Sequence, residues 1–202
     1  MSTTFSVFPL KKEFPTFRAV LDLSTEKLNR FLKDYEVGFE AKVEVKILAK
    51  EGDIEQKIDL DSSAKWKDEF YAWFMVSTIN GGADSYYWEL SEEDKSDNLE
   101  EFLSSDLGET RKDLVIKCLE NKIEWNFRRS AGQFAITTLA YGFIASSIAE
   151  LTDGIIFSGD GGWDYQIFPA TAEEFDAVYF RPEKAISEDN RKWAKNCIEN
   201  LS

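Results

Sequence analysis

The chain contains no histidine. This removes the side chain most often used as a general base near neutral pH and most often found as a metal ligand. Ser–His and Cys–His nucleophile pairs are excluded, as are zinc sites that need an imidazole. Cysteine is scarce: Cys118 and Cys197 form no CxxC pair. Both fall in segments that read as helices with apolar neighbours, which fits buried free thiols, and a bond between them stays open. Proline occurs four times, and no Pro/Gly/Ser linker, repeat or low-complexity tract interrupts the 202 residues. A single domain over residues 1–202 is expected, long enough to bury roughly 70% of its unfolded surface without a disulfide or metal staple.

Positive charge is also in short supply. Lys and Arg total 24 against 38 Asp and Glu, a net charge of −14. Nucleic-acid binding draws on phosphate neutralisation by a basic stripe, and anionic lipid attracts basic segments, so neither partner is expected. A strongly negative surface favours solubility and fast capture of a basic protein. Residues Met1 to Lys12 lack the charged and apolar regions of a signal peptide, and a reducing cytoplasm is the expected location. The stretch Ala131 to Ala149 carries no charge and approaches a membrane span in length. Gln133, Thr137, Thr138, Ser146 and Ser147 interrupt it, and the central helix of a globular core explains it better.

Motifs with a defined chemistry are missing. There is no GxSxG, SxxK, P-loop or GxGxxG. Asp153, Asp160 and Asp164 do not match the alternate-position acids of an EF-hand. No catalytic residue, cofactor or metal ligand is assigned. With 38 acidic residues, a carboxylate pair suited to hydrolysis could be drawn almost anywhere.

What is present patterns as α+β. A short strand is expected over Thr4 to Pro9, and a helix from Ser24 to about Tyr35. A long alternating strand runs from Val37 to Ala49, where Val43, Val45 and Ile47 alternate with charged residues. Gly52-Asp53 turns the chain into a partner strand from Ile54 to Leu60. Phe70 to Ile79 and Ser85 to Leu90 read as strands joined through Asn80-Gly81-Gly82. Helices follow from near Asn98 to Gly108, from Glu109 to Glu120 and from Ala131 to Leu151. Short strands are expected at Ile123 to Phe127 and Ile155 to Ser158. A helix capped by Thr171 runs to about Phe180, and an amphipathic helix carries Trp193, Cys197 and Leu201. Strands come mostly early and helices late. This predicts an antiparallel sheet from the N-terminal half packed against helices mostly from the C-terminal half.

Two surface constellations stand out. Gly159-Asp160-Gly161-Gly162-Trp163-Asp164-Tyr165 is a glycine-rich loop holding acids and aromatics together. Displayed outward, Asp160, Trp163, Asp164 and Tyr165 would grip an Arg or Lys of a partner. Folded inward, the same loop is a tight turn with Trp163 in the core. The acidic run Glu92, Glu93, Asp94, Asp97, Glu100 and Glu101 meets only Lys95. It reads either as a solvated helix start or as an electrostatic docking face. Tyr86, Tyr87 and Trp88 are consecutive, so a strand would point them to both of its faces.

From Phe134 to Pro182 the chain resembles the C-terminal part of small acidic immunity proteins of bacterial polymorphic and contact-dependent toxin systems. The carriers are Leu151-Thr152-Asp153-Gly154-Ile155-Ile156-Phe157-Ser158, the Asp-Gly-Gly-Trp-Asp-Tyr loop, and Phe168-Pro169-Ala170-Thr171-Ala172-Glu173-Glu174-Phe175. The resemblance implies a non-enzymatic protein that binds a cognate toxin, a basic domain, and blocks it stoichiometrically. A carboxylate-based hydrolase and a regulatory subunit of a non-toxin partner are the alternatives. Nothing in the sequence sets the oligomeric state.

Overall fold

A computed structural model describes residues 2–52 and 54–201. Eight strands form one sheet in the order β3-β2-β4-β5-β6-β1-β7-β8, and every pairing is antiparallel. The strands are β1 (Thr3–Phe8), β2 (Val43–Ala49), β3 (Glu55–Gln56), β4 (Phe70–Val76), β5 (Ala83–Glu89), β6 (Ile123–Arg129), β7 (Ile155–Phe157) and β8 (Ala170–Thr171). The helices are α1 (Phe17–Asp34), α2 (Glu92–Ser104), α3 (Lys112–Leu119), α4 (Ala135–Leu151), α5 (Ala172–Asp176) and α6 (Glu188–Glu199). The fold is α+β. Segregation by halves is looser than expected, because β6, β7 and β8 come late in the chain and α1 comes early.

The two faces of the sheet differ. Phe5, Val7, Trp125, Phe127 and Phe74 point to one face and are buried. This face receives α1 and α4. Phe5 stacks on Tyr141 of α4 and meets Phe175 of α5 edge-on. Helix α4 is buried on every side from Ile136 to Ala149, which explains its lack of charge. Among the described residues no helix is long and apolar enough to cross a membrane. Lys27 of α1 is buried and reaches Ser146 and Glu150 of α4 and Asp176 of α5, locking the three helices with a fully partnered cation. Cys118 and Cys197 are buried free thiols, and burial pushes Cys197 up to about 11.

Several boundaries depart from the sequence reading. Helix α1 begins at Phe17, two turns before Ser24, because Thr16 caps it by accepting from the Ala19 amide. Ser24 is a buried interior residue whose hydroxyl donates to the Val20 carbonyl. Residues 37–42 do not join β2. The Asn29 side chain bonds both the amide and the carbonyl of Ala41, holding this stretch on α1 instead of the sheet. Strand β3 is only two residues long. The Leu60 and Ser62 carbonyls are taken by the first amides of α1, which draws the rest of the expected strand away. Of the expected Gly52-Asp53 turn, Asp53 lies outside the described residues. The acidic run does not merely lead into a helix: Glu92, Glu93 and Asp94 form the first turn of α2, where the helix N-terminus favours them.

Candidate functional site

The other face of the sheet carries alternating side chains that only partly find cover. Cross-strand register lines them up in rows. One row runs Lys46, Trp73, Asp84, Arg128, Thr4, and the next carries Tyr86, Asn126, Ser6 and Phe157. At the β7 end, Phe8 and Phe157 are covered by Phe102 of α2. Towards β4 and β5 the face stays open. Here Tyr71, Trp73 and Met75 are half-buried, and Tyr86 and Trp88 stack at 5.8 Å with planes 12° apart. Trp88 is 38% exposed. Tyr87 points the opposite way into the core beside Trp125, as period-two alternation requires. Gly82 admits this arrangement, since a Cβ there would press on the Trp73 indole.

Helix α2 borders the aromatic ribbon and brings the acidic run to it. A groove of about 480 Å³ opens between α2 and the β5–β6 pair, lined by Trp88, Asp94, Asp97, Asn98, Glu101 and Glu124 among others. Glu124 is 7% exposed. Its Oε1 accepts from the Ser6 hydroxyl at 2.6 Å and from the Asn126 amide at 3.5 Å. Burial pushes this carboxyl above the usual range. The hydrogen bonds from Ser6 and Asn126 oppose the shift, and the neighbouring charges of Asp94 and Glu101 add to it. Asp94 is held below its usual range, because Oδ2 accepts the hydroxyl and the amide of Ser91 in a capping box. No three carboxylates among the described residues converge closely enough to share a metal ion.

The loop after β7 is divided by burial. Trp163 is 1% exposed and stacks on Phe180, with Tyr179 and Trp193 completing its cage. Asp164 is 2% exposed and accepts from the amides of Ile186 and Ser187 and from Asn190 Nδ2, tying the loop to the start of α6. Neither is available to a partner, which corrects the outward display of these two residues. The physical reason is tertiary packing: the cage of Phe180, Tyr179 and Trp193 takes the ring, and Gly162 lets the chain pass so close to Phe5 and Ser158 that no Cβ would fit. Asp160 stays at the surface but is engaged, accepting the amide and hydroxyl of Thr4. Tyr165 is 55% exposed.

The acidic run divides as well. Glu92 pairs with Lys122 at 2.5 Å, which lowers its proton affinity. Glu93 is exposed in the first turn. Asp94 and Asp97 line the groove. Glu101 extends over Gly159 and lines both this groove and a second, of about 270 Å³, that contains Tyr165. The α2 acids and the outer part of the loop therefore share one side of the molecule, although Trp163 does not. Sequence reasoning missed Tyr71, Trp73 and Glu124. Glu124 left no distinct signal, because it stands in step with Asn126 and Arg128 on the polar side of an alternating strand. Tyr71 and Trp73 left none either, because Phe70 to Val76 is apolar at every position and reads as buried on both sides. A search against family models, curated proteins and solved structures finds no match to this chain.

Proposed function

We propose that the protein is a stoichiometric, non-enzymatic inhibitor of immunity type, working in the cytoplasm, that covers a basic toxin domain with the open face of its sheet. One observation carries this reading: an exposed Trp88, stacked on the half-buried Tyr86, lies directly beside an acidic groove on a chain of net charge −14. Aromatic anchors ringed by complementary charge are the usual composition of a binding hot spot. The acids steer a basic partner in, and the rings supply the desolvated contact. The experiment is co-expression with the product of the adjacent reading frame, followed by size exclusion and toxicity assay. A stable complex that silences a toxin is expected. No complex at micromolar concentration would overturn the reading.

A second reading, a carboxylate-based hydrolase, has one observation in its favour. Glu124 and Asp94 line one groove and are pushed in opposite directions, as an acid and its partner carboxylate would be. Against it, Asp94 already serves the α2 cap. Loss of a measured hydrolytic activity in both Glu124→Gln and Asp94→Asn would favour it over the inhibitor reading.

A further inference from the structure

Resting on the binding reading above, we propose that the groove between α2 and the β5–β6 pair receives one arginine side chain of the protein partner, with Glu124 as the anchor at its floor and Trp88 as the flat wall. Four observations lead there. Glu124 is nine-tenths buried, yet among the described residues no cation pairs with it. Its Oε1 holds both internal hydrogen bonds. Its Oε2 takes none and is not sealed inside the protein, which leaves it to the groove. A buried carboxylate without a countercharge costs stability even when hydrogen-bonded, so the cost points to a ligand that supplies the charge.

The shape and charge of the groove then select the ligand. Asp94, Asp97 and Glu101 stand on the α2 side, so the field is negative from the rim to the floor. The nearby cation Lys122 is already committed to Glu92. These acids do not converge as metal ligands do, and the groove is large enough for an organic cation. A guanidinium has five donors in a plane, enough to serve the floor and a wall acid together. Its weak hydration and planarity also suit the Trp88 ring that lines the groove. An ammonium matches the charge but not the plane.

The test uses N-acetyl-arginine methylamide as probe on the ¹⁵N-labelled full chain. Saturable shifts are expected at the Trp88 indole and at the Asp97 and Asn98 amides, with the lysine analogue binding more weakly. Glu124→Gln should weaken the arginine probe about tenfold, the share of one charged hydrogen bond. Glu93→Gln, at an exposed acid outside the groove, should leave it unchanged. Trp88→Ala, on an exposed ring, provides a second variant should Glu124→Gln fail to fold, and it should erase the preference for arginine over lysine. Shifts that fail to saturate up to about 50 mM, or equal binding by wild type, Glu124→Gln and Trp88→Ala, would overturn the pocket. The two proposals fail separately. A toxin captured equally by wild type and Glu124→Gln removes the pocket and leaves the inhibitor. Saturable binding of the arginine probe without any basic partner removes the inhibitor and leaves the pocket.

Discussion

Trp163 and Asp164 are adjacent and both leave the surface, for different reasons. The indole fills a cage of Phe180, Tyr179 and Trp193, whereas the carboxylate satisfies two backbone amides and Asn190 around the start of α6. Trp163→Ala should cost about 3–5 kcal/mol through the cavity it leaves. Asp164→Ala should cost about 2–3 kcal/mol by orphaning buried donors, and Asp164→Asn less. Urea midpoints at constant slope measure both, and unchanged midpoints would refute the structural role of the loop. Glu124 behaves oppositely. Its proton affinity is higher folded than unfolded, so the native state binds more protons over the interval between the two values. Stability contributed by this group is greatest below the unfolded value and falls as pH rises through the folded one. Glu124→Gln should therefore raise the melting temperature at pH 7 and leave it nearly unchanged at pH 4. A variant that gains stability while losing the arginine probe separates a binding residue from a packing one.

At the scale of elements, α4 and α2 show how packing and capping set local sequence. Helix α4 contains Gly142 in its middle, a position where Ala would normally gain up to about 1 kcal/mol. A Cβ there would collide with the Tyr179 ring. That ring cannot yield easily: its hydroxyl donates to the Thr138 carbonyl at 2.7 Å, and it stacks on Phe175 at 4.5 Å. Gly142→Ala should therefore destabilise by about 1–3 kcal/mol, overpacking outweighing propensity. A thermal melt with unchanged or raised midpoint would contradict this. Helix α2 is held more lightly. It buries only Phe102, and its start rests on the Ser91–Asp94 box. Ser91→Ala should cost about 1 kcal/mol and increase amide exchange across the first turn of α2, at the rim of the groove.

At the scale of the whole molecule, the proposed binding assigns charge and aromatic surface to different steps of association. A net charge of −14 should accelerate encounter with a basic partner, and salt should remove that advantage. Raising ionic strength from about 0.05 to 0.5 M should slow association at least about tenfold with little effect on dissociation. Trp88→Ala should do the reverse, hastening dissociation by a hot-spot contribution of about 2 kcal/mol while association keeps its salt dependence. Stopped-flow or surface-plasmon kinetics on the complex distinguish these. A salt-insensitive association rate would mean that the acidic surface does not steer.

The sequence by itself determined what depends on composition and short-range pattern. The lack of histidine excluded its chemistry outright. The alternation in Val43 to Ala49, the capping residue Thr171, and the uncharged run of α4 marked real strands and helices, because period and cap chemistry act within a few residues. Only the tertiary structure decided the rest. Residues 37–42 left the sheet because Asn29, twelve residues from Ala41, claims its backbone. Trp163 went inward because Phe180 and Trp193 wait for it, a long-range match invisible in the loop itself. The candidate face depends on the same kind of information. Trp88, Glu124 and the α2 acids are scattered over some 36 positions of chain, and sheet register together with the placement of α2 bring them to one groove. Composition set the sign of the charge, and the fold chose where it is concentrated.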